Sequence, residues 1–425
     1  MKTTRRDFLL GGLSAGAAVP LGASLAPAWL QGATGAAGSG RVLVVVRVSG
    51  GYDWLNVIAD VDHPVYNNAR PNLRLQKAVT LPIDASTPRR FHPALLPFKQ
   101  LYDRGELAVV QGVGYPQPNL SHFESEKIYY SADRNVVLVD TGWLGQYLKV
   151  GYTGGSQLPA LDLEGALNPS FNGYQVPVVP NPTTFRFLSD TATPSNIDAN
   201  TELAALRANA ALLRPTADPE LLYVANGIVS AYDNSQLIQT TGTTYSPSVT
   251  YPGTALGNTL RNAARFIIGG LDTQIYFTST GGLDTHANEV QAGASELGNL
   301  AARLADISGS IKALLDDVRN QGRGSDVVVL VWSEFGRRTG ENGSLGTDHG
   351  HQNCAFVAGQ PVMGGLYGRY PDLSLATTPY YNHYFGYVSG QTTDFRSIYA
   401  TLLEKWLLTP AQPILKATYP LLPLL

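Results

Sequence analysis

Residues 41–48 read RVLVVVRV, a β-branched run with no helical period that Ser49-Gly50-Gly51 brings to an end. Such a run is long enough for one strand buried on both faces and too short for a buried helix. Comparable runs recur at 107–113 (LAVVQGV), 273–278 (TQIYFT) and 326–332 (DVVVLVW), with a weaker one at 354–358. Helical patterns lie between them, at 92–103, 121–130, 202–213, 219–232, 256–271 and 286–320. The last carries Leu297, Leu300, Leu304, Ile307, Ile311, Leu314 and Leu315, spacings of three and four that make one buried stripe. Strand alternating with helix predicts an α/β fold: a doubly wound, largely parallel sheet with helices on both faces. Thr392-Thr393-Asp394 is placed to cap a final helix running through Leu408. No internal repeat is present. Residues 151–200 are rich in Pro, Asn, Thr and Gly, and with the helices that follow they make 151–235 a loop-rich and helical insertion, or cap, on a single domain over 41–425.

The N-terminus reads Thr3-Thr4-Arg5-Arg6-Asp7-Phe8-Leu9-Leu10, then a Gly/Ala/Leu stretch, then Ala26-Pro27-Ala28. That is the pattern of a twin-arginine signal over 1–28, cut after Ala28 or a few residues later, with 29–40 as a small-residue linker. It implies the twin-arginine translocase as a partner during export and a periplasmic or secreted location. This route carries folded chains, often with a metal or cofactor already loaded. A membrane anchor fits less well, because the stretch falls short of the roughly 20 strongly apolar residues a span requires, and no later segment meets that length. Removing 1–28 takes away Lys2, Arg5, Arg6 and Asp7, a net of +2, so the formal charge moves from −3 to −5. So mildly acidic a chain, with no basic run, is not built for nucleic acid. Cys354 is the only cysteine, so no internal disulfide forms and stability must come from the core.

In an open α/β sheet a ligand lies at the carboxyl ends of strands. The segments that follow the predicted strands carry Asp53; Ser121 and His122; Asp284 and His286; Ser333, Glu334, Arg337 and Arg338; and then Asp348, His349 and His351. Four of the seven histidines sit in these loops, while His63, His92 and His383 stand apart and are read as structural. Mixed Asp and His sets suit Zn, Mn, or a Mg- or Ca-like divalent ion, one or two in number. A pair of ions about 4 Å apart clamps the attacking and leaving oxygens of a phosphate or sulfate ester. Ser121 stands where a helix begins and is the candidate nucleophile, and Arg337 with Arg338 offers a bidentate fork for the remaining oxygens. Each piece has a plainer reading. Ser121 with Glu124 forms a capping box, Asp284 caps a helix, and Asp53 is a turn residue. Asp348 and His349 make a loop hydrogen-bond pair, and the two arginines are surface salt-bridge partners.

Several of these stretches are long and unusual: the Gly-Gly-x-Asp-x-Leu-Asn turn at 50–56, Phe91-His92-Pro93-Ala94-Leu95, Ser121-His122-Phe123, Gly142-Trp143-Leu144-Gly145, Asp284-Thr285-His286, Ser333-Glu334-Phe335-Gly336-Arg337-Arg338, Gly346-Thr347-Asp348-His349-Gly350 and Thr392-Thr393-Asp394-Phe395-Arg396. Through them the chain resembles the twin-arginine-exported bacterial family grouped as domain of unknown function 1501, within the alkaline phosphatase and sulfatase superfamily. The resemblance implies an alkaline phosphatase-like fold with Asp53 as first metal ligand, Ser121 as nucleophile, Asp284 and His286 as a ligand pair, and His349 or His351 as the last ligand. Where the superfamily has Asp-His straight after a strand, this chain has Ser333-Glu334, which makes Glu334 the substitute ligand there. No Cys/Ser-x-Pro-x-Arg sulfatase signature surrounds Ser121, where residues 120–124 read LSHFE.

The leading expectation is a periplasmic metal-dependent hydrolase of phosphate or related esters, acting on an anionic ester or envelope polymer. Its rival is a catalytically degenerate relative serving as a binding or assembly component for an exported polymer or an unknown partner protein. A redox role ranks last, since one cysteine and no haem-attachment motif leave little to hold a cofactor.

Overall fold

The computed structural model describes residues 40–185, 204, 205, 207–209, 219–374 and 393–425. The signal segment 1–28, the linker up to residue 39, much of 151–235, His383 and Thr392 lie outside them. Along the chain the strands are β1 (Val42–Val48), β2 (Ile58–Ala59), β3 (Leu81–Pro82), β4 (Arg90–Phe91), β5 (Leu107–Gly114), β6 (Ala160–Asp162) and β7 (Ile275–Thr280). They continue with β8 (Val327–Trp332), β9 (Gly336–Glu341), β10 (Thr347–Gly350), β11 (Asn353–Ala358), β12 (Gly365–Gly368) and β13 (Thr393–Asp394). The longer helices are α1 (Leu96–Asp103), α2 (His122–Ser131), α3 (Pro219–Thr240), α4 (Ala255–Ile268), α5 (Asn299–Asn320) and α6 (Phe395–Thr401).

Eight strands form the central sheet in the order β12-β5-β11-β8-β1-β7-β6, with β13 pairing β5. All run one way except β11, which lies antiparallel between β5 and β8. The apolar residues of the run that predicts β1 are all buried because successive side chains enter different cores. Val42, Val44 and Val46 join one cluster with Leu260 of α4, Leu304 and Ile311 of α5 and Phe98 of α1. Leu43 and Val45 join the other with Tyr129 of α2, Trp143 and Ile398 of α6. Strand β8 divides in the same way, Val327, Val329 and Val331 on one side and Val328, Leu330 and Trp332 on the other. With an apolar core on each face, the α/β architecture is doubly wound as expected, and every apolar residue of the two middle strands is packed in one core or the other.

Three expectations need correction. The 354–358 run forms a strand, but it is the one that opposes the rest, since it returns directly from β8 through the hairpin β9–β10 without a crossover helix. The helix expected from residue 286 begins at Asn299. Turns occupy the stretch before it, Leu297 is exposed there, and Gly298 holds φ +118°, where a Cβ would meet the backbone of Val290 and Gln291 at 2.7 Å. The last helix is capped by the Asp394 side chain on the Arg396 N–H at 3.0 Å and relaxes into a wider turn over Leu402–Trp406. Among the described residues, no helix is long and apolar enough to cross a membrane.

His63 and His92 are structural, each accepting a backbone N–H at a helix start. Burial pushes the His92 imidazole from 6.5 down to about 4, against the pull of Asp53. Folded His92 therefore takes up its proton less readily than the unfolded chain does, and stability falls as pH drops from about 6.5 to about 4, by up to roughly 3 kcal/mol. His92→Asn keeps a capping oxygen and does not titrate. Its urea midpoint is expected to be flatter than wild type across that window, and a parallel pair of curves would refute the assignment.

Candidate metal centre

Parallel β8, β1 and β7 are neighbours, so the loops leaving their carboxyl ends meet side by side. Contact is close: at Gly50, with φ +120°, a Cβ would lie 2.4 Å from the Asp284 nitrogen. One side chain binds these loops together. Arg337, fully buried near the start of β9, gives Nε to the Gly51 carbonyl at 2.6 Å and Nη1 to that of Thr347 at 2.8 Å. Its Nη2 meets the Gly50 and Leu283 carbonyls at 2.5 and 3.3 Å and Asp284 Oδ1 at 2.5 Å. A guanidinium so occupied fixes loops and leaves no fork open to an anion, which corrects the role expected for Arg337. Arg338 projects to the other face of the strand, one third exposed, and reaches Asp348 Oδ2 at 3.1 Å through Nη1.

Three imidazoles close on the oxygen that Arg337 holds. The Nε2 atoms of His286, His349 and His122 lie 3.1, 3.2 and 3.4 Å from Asp284 Oδ1, and those of His286 and His349 are 2.9 Å apart. The opposite nitrogen of each ring is already committed. His349 Nδ1 is 2.8 Å from the Leu120 carbonyl, which can only accept. His122 Nδ1 is 2.6 Å from Glu334 Oε1, and His286 Nδ1 is 3.2 Å from Asp348 Oδ1. Both of those carboxyls are held below their ordinary range. Burial works against this, but it is outweighed at Glu334 by hydrogen bonds from His122, the backbone and Ser333, and at Asp348 by Asn342, His286 and Arg338. Each Nδ1 therefore carries the proton, and in the neutral rings three Nε2 lone pairs face one carboxylate oxygen.

Lone pairs converging in this way repel unless protons or a cation lie among them. The donor set fits a cation. Imidazole and carboxylate are Zn- and Mn-class ligands, and each histidine donates its other ring N–H to a carboxylate or a carbonyl, the arrangement that orients metal ligands. An ion about 2.0–2.1 Å from four tetrahedral ligands separates those atoms by roughly 3.3 Å, which the contacts above bracket. His122, Asp284 and His349 form the group of possible ligands found among the described residues, their ligand atoms within 4.8 Å of one another. His286 adjoins it.

Electrostatics differ within the cluster. Asp284 is held down to about 2: burial pushes the other way, but the hydrogen bond and charge of Arg337 prevail, helped by His349 and His286. His122 is raised, chiefly by its hydrogen bond to Glu334, whereas burial lowers His349.

The expected residues do not all meet here. Asp284, His286 and His349 do, with Asp348, Glu334, Arg337 and Arg338 one contact further out. Asp53 does not, and its assignment as first ligand is corrected: it is wholly buried, and both its oxygens accept from Arg70, one at 2.8 Å from Nη2 and the other from Nη1. Glu289 lies beside that pair, fully buried and pushed well above the carboxylate range by burial and then by the charge of Asp53. His351 is outside the group, and burial takes its imidazole down to about 4. Ser121 stands at the N-terminus of α2 with its hydroxyl making no capping bond, so the capping box does not form. The sequence reading put His122 in a strand-end loop but not among the ligands; its signal was its place beside Ser121 at a helix start. Arg70 carries no local signal.

Arg337→Met would orphan four carbonyls and leave Asp284 without its ion-pair partner. We expect a loss of at least about 3 kcal/mol in urea unfolding, larger than for Arg338→Met, and equal losses would refute the anchoring role.

Residues 263–401 match the family described as "Protein of unknown function (DUF1501)". No curated protein is similar in sequence to this chain. Among solved structures, the lipoteichoic acid synthase LtaP from Listeria monocytogenes overlaps with 8% identity, 79% of this chain and 70% of that one covered, and a TM-score of 0.33. A sulfatase from Pseudoalteromonas sp. gives 14%, 79% and 65%, and 0.33. A protein in the alkaline phosphatase superfamily from Vibrio parahaemolyticus gives 11%, 80% and 64%, and 0.32. The chemistry in those names is that of those proteins. The match at 263–401 runs from within α4 through β7, β8 and the hairpin to the end of α6, taking in Asp284, His286 and His349, and over that stretch the chain is similar to the DUF1501 family.

Proposed function

We propose that this chain is a metal-dependent hydrolase of phosphate or related esters, exported by the twin-arginine route and working in the periplasm or outside the cell. The observation that carries the reading is the convergence of three Nε2 lone pairs on Asp284 Oδ1, each ring oriented by an acceptor on its other nitrogen. His122, Asp284 and His349, with His286 adjacent, would hold a divalent ion, which would supply Lewis acidity toward an ester oxygen. Three protein ligands with a further position open is the pattern of catalytic sites. The edge is accessible, since Asp284 and His286 are each nearly half exposed.

In this reading Ser121 is the nucleophile. Its Oγ, unspent on capping, bonds the phosphorus or sulfur and gives up its proton to solvent, as the leaving oxygen departs and takes a proton from solvent; water then cleaves the Ser121 ester and returns the hydroxyl, so the net reaction is hydrolysis. The N-terminus of α2 favours the anion there. Arg338, one third exposed with Nη1 on Asp348, is the residue for the remaining oxygens. Arg337 and Glu334 act through Asp284 and His122 and are positioning residues. A second reading, a binding or assembly component for an exported polymer or partner protein, draws on one observation: Arg337 is spent on the loops, so of the expected arginine pair one member is left to hold an anion.

The test is elemental analysis of the purified protein followed by an ester screen. Asp284→Ala and His349→Ala are expected to lose the metal, whereas Ser121→Ala keeps both metal and fold and loses turnover by about 100-fold or more. Metal bound by the wild type with no ester turned over would favour the binding component, and an unchanged rate in Ser121→Ala would remove the nucleophile.

A further inference from the structure

The geometry points to a single-ion centre, in which the buried guanidinium of Arg70 stands where a second metal ion would need Asp53. The inference rests on the reading of His122, Asp284 and His349 as a metal site and adds how many ions that site holds and why.

A two-ion hydrolytic centre needs two sets of open ligands about 4 Å apart. The second set is not there among the described residues. Asp53 and Arg70 are both wholly buried, and the guanidinium takes both carboxylate oxygens through its two terminal nitrogens. Arg70 is itself anchored, Nε on the Thr339 carbonyl at 2.7 Å and Nη2 also on that of Arg338 at 2.8 Å. Those carbonyls belong to β9, the strand that also carries Arg337 and pairs with the strand of His349. A metal at Asp53 would have to expel a desolvated cation whose donors are matched on two sides, and leave that charge without a partner. The neighbouring acids are engaged too, although Glu289 Oε1 is buried without a hydrogen-bond partner among the described residues. Glu289 Oε2 accepts from the Thr285 and Thr347 hydroxyls, and Glu334 accepts from the Gly50 N–H, Ser333 and His122. A guanidinium carries positive charge in fixed donors and has no coordination position to offer, so it holds the loop of Asp53 and binds no substrate oxygen.

The experiment loads the full chain with Mn(II), removes the excess, and reads manganese per chain together with the electron paramagnetic resonance spectrum. One ion per chain with an isolated-ion spectrum is expected. Asp53→Asn should keep that ion, and His349→Ala should lose it. Because Asp53→Asn leaves Arg70 buried and unpaired, the double variant Asp53→Asn, Arg70→Gln, which removes both charges, is measured beside it, with circular dichroism reporting the fold. Two ions per chain, an exchange-coupled spectrum, or loss of the ion from a folded Asp53 variant would overturn the single-ion centre and leave the metal reading standing. No bound manganese in the wild type would overturn both.

Discussion

The loops that make the site meet because a buried cation holds them. Arg337 reaches the carbonyls that follow β1, the carbonyl that precedes Asp284, the carbonyl that opens β10, and Asp284 itself. Taking a guanidinium out of water costs several kcal/mol, and that cost is offset only when its donors are met by well-placed acceptors. Here the acceptors are backbone oxygens that strand ends leave unpaired. Two problems cancel: loops converging at the edge of a parallel sheet have orphan carbonyls, and a buried arginine has orphan N–H groups. The half-exposed carboxylate of Asp284 is fixed as a by-product, and with it the point on which three imidazoles close.

The same device recurs around the site. Asp53 has Arg70, Asp284 has Arg337 and Asp348 has Arg338, so each loop aspartate has its own guanidinium. What differs is exposure. The pair at Asp53 is sealed, the pair at Asp284 is sealed on the arginine side only, and the pair at Asp348 is open on both. Only the latter two pairs meet solvent, and the first acts as foundation.

The sheet was legible where the chain is buried on both faces, because a predominantly apolar, β-branched run such as 42–46 or 327–332 has few other uses. Strands β6, β12 and β13 have two to four residues each, too few to carry a period. The start of α5 was misplaced because Leu297 continues the apolar spacing while Gly298 bends the chain away from it. At the site, Asp284, His286, Asp348 and His349 could be found because strand ends are where ligands gather. Asp53 satisfied the same rule and belongs elsewhere, since its partner Arg70 lies 17 residues on in a segment with no motif. Position along a strand tells where a carboxylate goes; it does not tell what neutralises it.

The antiparallel placement of β11 has a mechanical consequence. A crossover would carry the chain after β8 away to a helix, but here it turns back at once, and β9–β10 stands as a short ribbon on the rim of the sheet, rooted at both feet in β8 and β11. The ribbon carries His349, Asp348 and both arginines, while Asp284 and His122 stand on other elements. Arg337 ties it to the loops of Gly50, Leu283 and Asp284, and Arg70 ties it to Asp53, so the ribbon cannot lift without breaking those buried bonds. Ribbon and loops therefore hold or give way as one unit.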